Sequence, residues 1–385
     1  MNPFSFNVPT KIIFEPGATT RLGSLLSDDG VNSALVITDK GVMKAGCLKG
    51  VFDSLDSMGI IHETYDGVEQ NPTEDNVREA LRILRECNYD AIIAVGGGSS
   101  IDTAKAVLAM MKEGKDIGEL YKAVLKGDSP LSLVAIPTTA GTGSEVTWSA
   151  VITDTEHKVK ETARGGFMYP KIALIDPELT ISLPSHITAS TGMDALTHAM
   201  EAFITKGAHA MSDALAMEAS LLIFSNLRDA VNDGSNLRAR SAMSIASTLA
   251  GMSFSISGLG MVHGMAEPLG GRYNVPHGIA NSILLPHCLS FNCDAVEGKL
   301  ATMAHLLGIN GDHSDHETSH LLVKEVARLS DDVGIPHKLE VVIDQDEFDS
   351  LISDASKNSC LPGNPKSVSR EDIANIYSRI LRVEQ

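Results

Sequence analysis

The sequence predicts an α/β domain over residues 1–183, built on a mostly parallel sheet, followed by an all-helical domain over residues 184–385. Two observations predict this class. Short β-rich runs alternate with helical periodicity through the first half, which is typical of a parallel sheet covered by helices. After Pro184 the strand signals fade, and long segments rich in Ala, Leu, Met and Ser follow.

The first half contains six β-rich runs separated by helical or turn segments. We expect the strands at residues 11–14, 34–38, 60–65, 91–95, 131–136 and 171–175. One intervening segment places apolar side chains on a single helical side, as a helix that covers a sheet requires. Those side chains are Val77, Leu81, Leu84 and Ile83.

The second half has helical periodicity over residues 210–232, 236–257 and 319–333. Pro184 ends the preceding extended segment and Ser185 can cap a helix, so we place the domain boundary at residues 183–185. The uncharged run 241–266 has the length of a membrane span. It carries six Ser, a Thr and a His, however, so we expect a buried helix instead.

Composition excludes several classes of function. The formal net charge is −18 and no dense basic patch offsets it, so we expect no nucleic-acid partner. Five scattered cysteines fit neither a disulfide framework nor a zinc knuckle. The opening segment lacks the pattern of a cleaved secretion signal, and we expect no membrane partner. These features favour the cytoplasm and a small-molecule partner.

A glycine-rich turn joins the predicted strand 91–95 to an Ala-rich helix. It reads Gly96-Gly97-Gly98-Ser99-Ser100. Three glycines let the backbone approach a diphosphate closely, and a helix N-terminus directs free N–H groups and a positive dipole end toward it. The alternative is a tight turn that needs one positive φ, for which a single glycine would suffice. We therefore favour a phosphate site, although the standard dinucleotide fingerprint is not matched.

Asp39 follows the predicted strand 34–38 and precedes Gly41. A carboxylate at the end of a strand can accept hydrogen bonds from an adenosine ribose and would repel a 2′-phosphate, which favours NAD over NADP. A helix-capping or turn aspartate is the alternative. A second polar loop, residues 137–147, follows another strand and is rich in hydroxyls. It suits a diphosphate or ribose, and a surface loop is its alternative.

An acid and three histidines lie in weakly charged surroundings. Asp194 and His198 are four residues apart on a predicted helix and can reach one cation. His263 and His277 each precede a glycine. One carboxylate and three imidazoles suit a divalent transition metal with open positions, Fe(II) or Zn(II). Taken singly, each histidine is more often a satisfied core residue.

Together these segments resemble the iron-containing (group III) alcohol dehydrogenase family, which has a dehydroquinate synthase-like fold with a Rossmann-like first domain. The resemblance covers essentially the whole chain. It is carried by KIIFEPGA, AVGGGSSIDTAKA, IPTTAGTGSEVT, IDPELTISLP, GMDALTHAMEAF, the two His-Gly pairs and Gly363-Asn364-Pro365-Lys366.

The resemblance implies site residues position by position. The metal ligands, usually to iron, are Asp194, His198, His263 and His277. The NAD contacts are Asp39, Gly97, Gly98, Ser99, Thr138, Thr139, Thr142, Thr147 and Lys160. Phe254 and Cys360 match positions that commonly line the substrate pocket.

The sequence departs from the family at one position. The family commonly has H-G-x-A-H, whereas this chain has His263-Gly264-Met265-Ala266-Glu267. We assign His277 and Glu267 to catalysis. Glu267 would act as an alternative proton acceptor or favour polar or cationic alcohols. An exposed or ion-paired acid near the ligands is the other interpretation.

The implied activity is a metal-dependent, NAD(H)-linked oxidoreductase that interconverts a small primary alcohol or diol and its aldehyde by hydride transfer. A dehydroquinate synthase-like lyase is the enzymatic alternative, but few basic residues are present to hold a phosphorylated substrate. A non-catalytic nucleotide- or metal-binding scaffold is the other alternative. The resemblance also implies a homodimer, formed through the N-terminal strand, or a larger homo-oligomer.

Overall fold

The computed structural model describes residues 3–309 and 313–384, which divide into two compact units. Residues 7–183 form the α/β unit. The helical unit consists of residues 3–6 and the described residues from Pro184 onward. The first few described residues therefore pack with the helical unit, where Phe4 stacks on His209 with ring centroids 4.1 Å apart.

The strands of the α/β unit follow the expected runs closely and add three more. They are β1 (Lys11–Phe14), β2 (Ser33–Ile37), β3 (Ile61–Tyr65), β4 (Ala91–Gly96), β5 (Val124–Leu125), β6 (Ser132–Pro137), β7 (Ser149–Asp154), β8 (Val159–Gly165) and β9 (Ile172–Ile175). The six predicted runs form one sheet in the order β1-β9-β6-β4-β2-β3, and every pairing in it is parallel. The predicted parallel sheet is confirmed.

Helices cover both faces of this sheet. They are α1 (Leu22–Asp28), α2 (Lys40–Lys44), α3 (Lys49–Ser57), α4 (Glu74–Cys87) and α5 (Gly98–Glu113). Side chains alternate across the sheet as the strand period of two requires. Leu35 and Ile92 join the core under α4 and α5, whereas Val36 and Ile93 join the core under α3. The predicted apolar side of α4 faces the first of these cores.

Strands β5, β8 and β7 form a second, three-stranded sheet that the sequence did not predict. β7 and β8 form an antiparallel hairpin whose turn contains Lys158 at φ 55°. The β8 sequence VKETARG alternates charged and small residues, so it lacks the apolar run that reveals a buried strand. This hairpin places Lys160 opposite Thr153.

The helical unit contains α6 (Ser185–Ile204), α7 (Ala210–Asn232), α8 (Leu237–Ser257), α9 (Met261–Tyr273), α10 (His277–Asn292), α11 (Glu297–Leu306), α12 (Asp315–Asp332), α13 (Gln345–Lys357) and α14 (Arg370–Ile380). The three predicted helical segments correspond to α7, α8 and α12. Two short strands, β10 (Val342–Ile343) and β11 (Arg382–Val383), pair in parallel and are the exception to an all-helical second half.

The uncharged run 241–266 is not one helix. Gly258 ends α8 at φ 84°, a left-handed conformation that favours glycine, and α9 starts at Met261. The two helices meet at a bend of 103°. Among the described residues no single helix is long and apolar enough to cross a membrane, and this bent pair passes the length and composition test only when its halves are taken together. The bend places His263 in the first turn of α9.

Candidate functional site

The helical unit brings the four predicted ligands together. Asp194 and His198 lie one turn apart on α6, His263 lies at the start of α9, and His277 is the first residue of α10. One ligand atom from each residue lies within 4.8 Å of those of the other three. Asp194, His198 and His263 are buried and His277 is partly exposed, so the cluster is open on the His277 side.

A glycine allows two of the helices to approach closely enough to form this cluster. A Cβ atom at Gly278, next to His277, would lie 2.6 Å from the backbone oxygen of Ser190 on α6. Any larger residue at this position would push α10 away from α6. A Cβ atom at Gly264, next to His263, would lie 2.9 Å from the Leu361 side chain, so this glycine lets the turn that contains Leu361 pack against α9.

One residue of the cluster supplies a negative charge. Burial by itself would raise the pKa of Asp194, but the charges of His198, His277 and His263 outweigh it and leave this pKa below its usual range. The carboxylate therefore stays ionised in its buried position. One anionic oxygen and three imidazole nitrogens are a donor set that suits a divalent transition metal.

Asn281, which the sequence did not reveal, lies where these lone pairs converge. Its amide nitrogen is 2.6 Å from Asp194 Oδ1 and 3.1 Å from both His263 Nε2 and His277 Nε2. Three ligand atoms thus face one point that a positively polarised group occupies. This convergence is the observation that fits the residues to a metal ion. In the sequence, the only indication that Asn281 belongs to this cluster was its position four residues after His277.

Glu201 is a second residue that the sequence did not reveal. Its buried carboxylate accepts hydrogen bonds from the backbone N–H groups of Val262 (2.7 Å) and His263 (3.3 Å), at the N-terminus of α9. It also lies 2.6 Å from His263 Nδ1. Because a carboxylate only accepts, Nδ1 must donate, which leaves the Nε2 lone pair directed at the cluster. In the sequence, Glu201 could have been recognised as the single acidic residue in the uncharged stretch after His198.

The hydrogen bond to Glu201 also changes the pKa of His263. Burial alone would lower the pKa of His263, but the hydrogen bond and negative charge of Glu201 reverse this effect and raise it. The carboxylate therefore makes the ring a more basic ligand.

The predicted pocket residues and Glu267 adjoin the cluster within the helical unit. Phe254 stacks on His198 with ring centroids 4.4 Å apart. Glu267 lies one turn beyond His263 on α9 and accepts a 2.5 Å hydrogen bond from Asn358 Nδ2. The backbone N–H of Cys360 donates to the same Asn358 side chain at 2.9 Å. Asn358 thus ties Glu267 to the loop that carries Cys360.

The predicted nucleotide-binding loops meet at the carboxyl edge of the parallel sheet. β6, β4 and β2 are neighbours, so the polar loop after β6, the glycine turn after β4 and Asp39 after β2 lie side by side. The chain passes from β4 to α5 on one face and from β2 to α3 on the other. Connections that leave adjacent strands toward opposite faces open a crevice, the usual ligand position in such sheets.

The glycine turn and the polar loop are in direct contact. A Cβ atom at Gly98 would lie 2.8 Å from the Thr142 side chain, and one at Gly97 would lie 3.3 Å from Thr139 Oγ1. Gly96 has φ 156°, and its carbonyl accepts from the Thr138 N–H at 3.0 Å. Gly97 precedes α5, so the first N–H groups of this 16-residue helix face the crevice. This cradle fits a diphosphate.

Asp39 is a helix-capping residue, as one of the two interpretations predicted, and it also lies beside the glycine turn. Its Oδ1 atom accepts from the N–H groups of Gly41 and Val42 and caps α2. Its Oδ2 atom points toward Gly96, since it would lie 3.6 Å from a Cβ atom there. One oxygen therefore holds the local structure while the other lies beside the glycine turn.

Lys105 is a further residue that the sequence did not reveal, and it lies in the middle of the Ala-rich helix α5. It is fully buried, and its ammonium contacts Ser144 O (2.6 Å), Ser144 Oγ (2.8 Å), Thr147 Oγ1 (2.8 Å) and Ser149 O (3.0 Å). Ser144 Oγ in turn donates to Asp102 Oδ1 at 2.6 Å. Lys105 thus anchors the polar loop on α5, and the hydroxyl of Thr147 serves this anchor.

Burial shifts both charged groups under the loop toward their neutral forms. It lowers the pKa of Lys105 to about 8, against the opposing charge of Asp102. It also raises the pKa of Asp102, against the charges of Lys105 and of Lys160 on β8.

Ser99, the remaining predicted contact, donates from Oγ to the Gln70 carbonyl at 2.6 Å.

Comparison with known proteins gives consistent matches along the chain. Residues 9–177 match the iron-containing alcohol dehydrogenase family, and residues 188–381 match the C-terminal part of the Fe-containing alcohol dehydrogenase family. The chain is 41% identical to 1,3-propanediol dehydrogenase of Citrobacter freundii, over 97% of this chain and 98% of that protein. It is 35% identical to NAD-dependent methanol dehydrogenase of Bacillus methanolicus, over 98% and 100%. A solved 1,3-propanediol oxidoreductase superimposes with a TM-score of 0.93 at 39% identity, over 98% and 99% of the two chains.

Substituting Glu201 tests its action on the metal cluster. We expect Glu201→Gln to weaken Fe(II) binding by about 10- to 100-fold, because His263 loses its anionic hydrogen-bond partner. Competition with a chromogenic chelator under anaerobic conditions measures this affinity. Glu218→Gln, an exposed change on α7, is the matched control. An unchanged affinity in Glu201→Gln would contradict the assigned role.

Lys105 predicts a pH dependence of stability. Its folded pKa of about 8 lies below the ordinary 10.5, so between these pH values the unfolded chain binds more protons and raising the pH favours folding. Relative to Lys105→Met, the wild type should gain about 2–3 kcal/mol of unfolding free energy from pH 8 to 10.5. Trp148, the single tryptophan, lies between two of the residues that Lys105 contacts and reports urea unfolding by fluorescence. Lys115→Met, which changes an exposed lysine, should keep the wild-type pH slope; the same slope in Lys105→Met would refute the prediction.

Proposed function

This chain belongs to the iron-containing alcohol dehydrogenase family, and on that premise we propose that it interconverts a small primary alcohol or diol and its aldehyde with NAD(H). The observation that carries the proposal is the convergence of four ligand atoms, from Asp194, His198, His263 and His277, within 4.8 Å. Packing alone gives no reason to bring a buried carboxylate and three imidazoles together in a mostly apolar helical core.

We assign the metal, iron(II), to these four side chains. When bound there, it would supply a Lewis acid for the substrate oxygen. The side chains around the metal would position the ligands and shape the substrate site. Glu201 holds the ring of His263 in one tautomer, and the partly exposed His277 leaves one side of the cluster open to a substrate. The Phe254 ring covers His198 and gives that side of the site an apolar wall, suited to the carbon chain of a small alcohol.

We assign NAD to the carboxyl edge of the sheet, with residues 1–183 as its domain and residues 184–385 as the metal-binding domain. The glycine cradle supports a diphosphate position, and the carboxylate of Asp39 beside Gly96 favours an unphosphorylated ribose. The proposed contacts are Asp39, Gly97, Gly98, Ser99, Thr138, Thr139, Thr142, Thr147 and Lys160. NAD would accept or donate the hydride.

The lyase alternative is disfavoured by how the basic residues of the helical unit are engaged. A phosphorylated substrate needs several free cations, but Arg228 pairs with Asp332 at 2.8 Å and Arg272 pairs with Asp354. Arg240 is buried and donates to the Gly234 carbonyl and to Thr188. These guanidinium groups have structural partners of their own.

Metal removal tests the proposed reaction directly. Anaerobically purified protein should reduce NAD+ with ethanol, 1,2-propanediol or 1,3-propanediol. Chelation should abolish this activity, and Fe(II) should restore it. NADP+ should be used less well because of Asp39. Asp194→Asn, which removes the anionic ligand, should not recover with Fe(II). Full activity after verified metal removal would refute the metal-dependent reaction, and bound NAD without turnover of any alcohol or aldehyde would favour the lyase or the scaffold.

We further propose that Glu267 contributes to substrate choice or to proton transfer. It is partly buried, lies one turn from His263 and is held by Asn358, so its negative charge adjoins the cluster. Glu267→Gln should lower kcat/KM for choline by about 10-fold relative to 1,3-propanediol if the carboxylate attracts a cation. A change in the pH profile with every substrate would indicate proton transfer instead. Glu371→Gln is an exposed control, and unchanged kinetics in Glu267→Gln would remove both roles.

We propose a homodimer or larger homo-oligomer built on the edge strand β1, in the cytoplasm. β1 pairs with β9 on one side only, and its Ile12 and Phe14 side chains are exposed. Lys11 and Glu15 donate toward β9, so the alternating N–H of Ile12 points to the outer edge. Ile12→Pro should therefore leave the sheet intact and shift the mass measured by light scattering toward the monomer. Thr64→Pro, on the opposite edge strand β3, is the control, because the Ile61 N–H donates to the Asn32 carbonyl and the alternating N–H of Thr64 therefore also points away from the sheet. An unchanged mass for Ile12→Pro would refute this interface.

A further inference from the structure

Two histidines and two acids meet at a second place in the helical unit, outside the buried cluster. His316 and His320 are four residues apart on α12, so both rings project from one side of the helix. Asp294 lies in the short turn after α10, and Glu297 is the first residue of α11. None of them is among the candidate site residues that the sequence indicates.

Three of these side chains are close enough to share an ion, and the fourth, Glu297, lies beside His316. The nearest ligand atoms of Asp294, His316 and His320 lie within 4.8 Å of one another. His316 Nδ1 is 3.4 Å from Glu297 Oε2 and 4.0 Å from Asp294 Oδ1. The rings of His316 and His320 meet edge to face, with centroids 4.5 Å apart. Their side chains are accessible to solvent, so an ion could enter without opening the fold.

Buried hydrogen bonds hold the two halves of this group together independently of any ion. Cys293 Sγ donates to Ser319 Oγ at 3.1 Å, and Ser319 Oγ donates to the His316 carbonyl at 2.7 Å. Cys293 and Ser319 are both fully buried. The turn that carries Asp294 is thereby fastened to α12 between His316 and His320. Because the ligands are already assembled, binding an ion requires little ordering of the chain.

We propose that Asp294, His316 and His320, with Glu297 as a further oxygen donor, form a surface site for a divalent transition-metal ion of the zinc class. Two imidazole nitrogens and one or two carboxylates match the preference of Zn(II), and water completes the coordination. Magnesium and calcium prefer oxygen ligands only. The bound ion would cross-link the turn at residues 293–297 to α12. This site is separate from the four-residue cluster assigned to iron and does not depend on the proposed reaction.

Zinc titration of the iron-loaded protein tests this site. Calorimetry should detect one zinc equivalent in the wild type. In the double variant His316→Gln/His320→Gln the affinity should fall by more than about 100-fold, the upper limit for loss of a residue that only supports a ligand. His337→Gln, which changes an exposed histidine outside the group, is the matched control and should bind like the wild type. Iron content is measured after titration, so that exchange at the buried cluster is recognised.

A reciprocal variant separates the two metal sites. His263→Ala disrupts the buried cluster and should still bind zinc at the surface site with the wild-type affinity. Anomalous scattering at the zinc edge should place the ion between Asp294 and the two α12 histidines. The proposal is overturned if the double variant binds zinc as tightly as the wild type, or if the anomalous peak lies elsewhere. The thermal unfolding temperature measured without zinc should be the same in the double variant and the wild type. Equal temperatures show that the double variant is folded, so that a loss of zinc binding reflects the missing ligands.

Discussion

The close approach of four lone-pair donors inside the helical unit is the constraint on which the rest of that unit depends. A buried carboxylate and three imidazoles are costly to hold together unless each has partners. Glu201 supplies one, by accepting from His263 and from the start of α9. Asn281 supplies another, by donating to Asp194 with an amide nitrogen that also lies 3.1 Å from one nitrogen of each of two rings. α10 can bring His277 close to α6 because Gly278 has no side chain to meet the backbone of Ser190.

The constraint in the α/β unit is different, because backbone N–H groups must be exposed together at one edge of a sheet. Parallel pairing brings the ends of β2, β4 and β6 to that edge, and helices on opposite faces leave a crevice there. Lys105 then holds the polar loop from beneath through contacts with Ser144 and Thr147, and it also contacts the start of β7 at Ser149. A buried cation used in this way keeps the hydroxyl-rich loop in one shape, so fewer of its residues must become ordered when a ligand binds.

Acidic side chains serve distinct purposes in this strongly negative chain. Asp194 is a candidate ligand, Glu201 orients a ligand, and Glu267 is held by Asn358 where the family commonly has a histidine. Asp294 and Glu297 face histidines at the surface. Their roles differ because burial and partners differ, although the residue types are the same.

The sequence by itself determined the parallel sheet, the helical second half, the glycine turn and the four candidate ligands. Those features follow from local periodicity, from turn chemistry or from a family pattern that is written along the chain. Only the tertiary structure revealed Glu201, Asn281 and Lys105, because their significance lies in contacts with residues far away in the chain, and a single polar residue in an apolar helix carries no sign of its partner. The single buried helix expected across residues 241–266 is instead two helices: the periodicity over residues 236–257 predicts the end of α8, but the 103° bend to α9 depends on packing, which no local pattern shows.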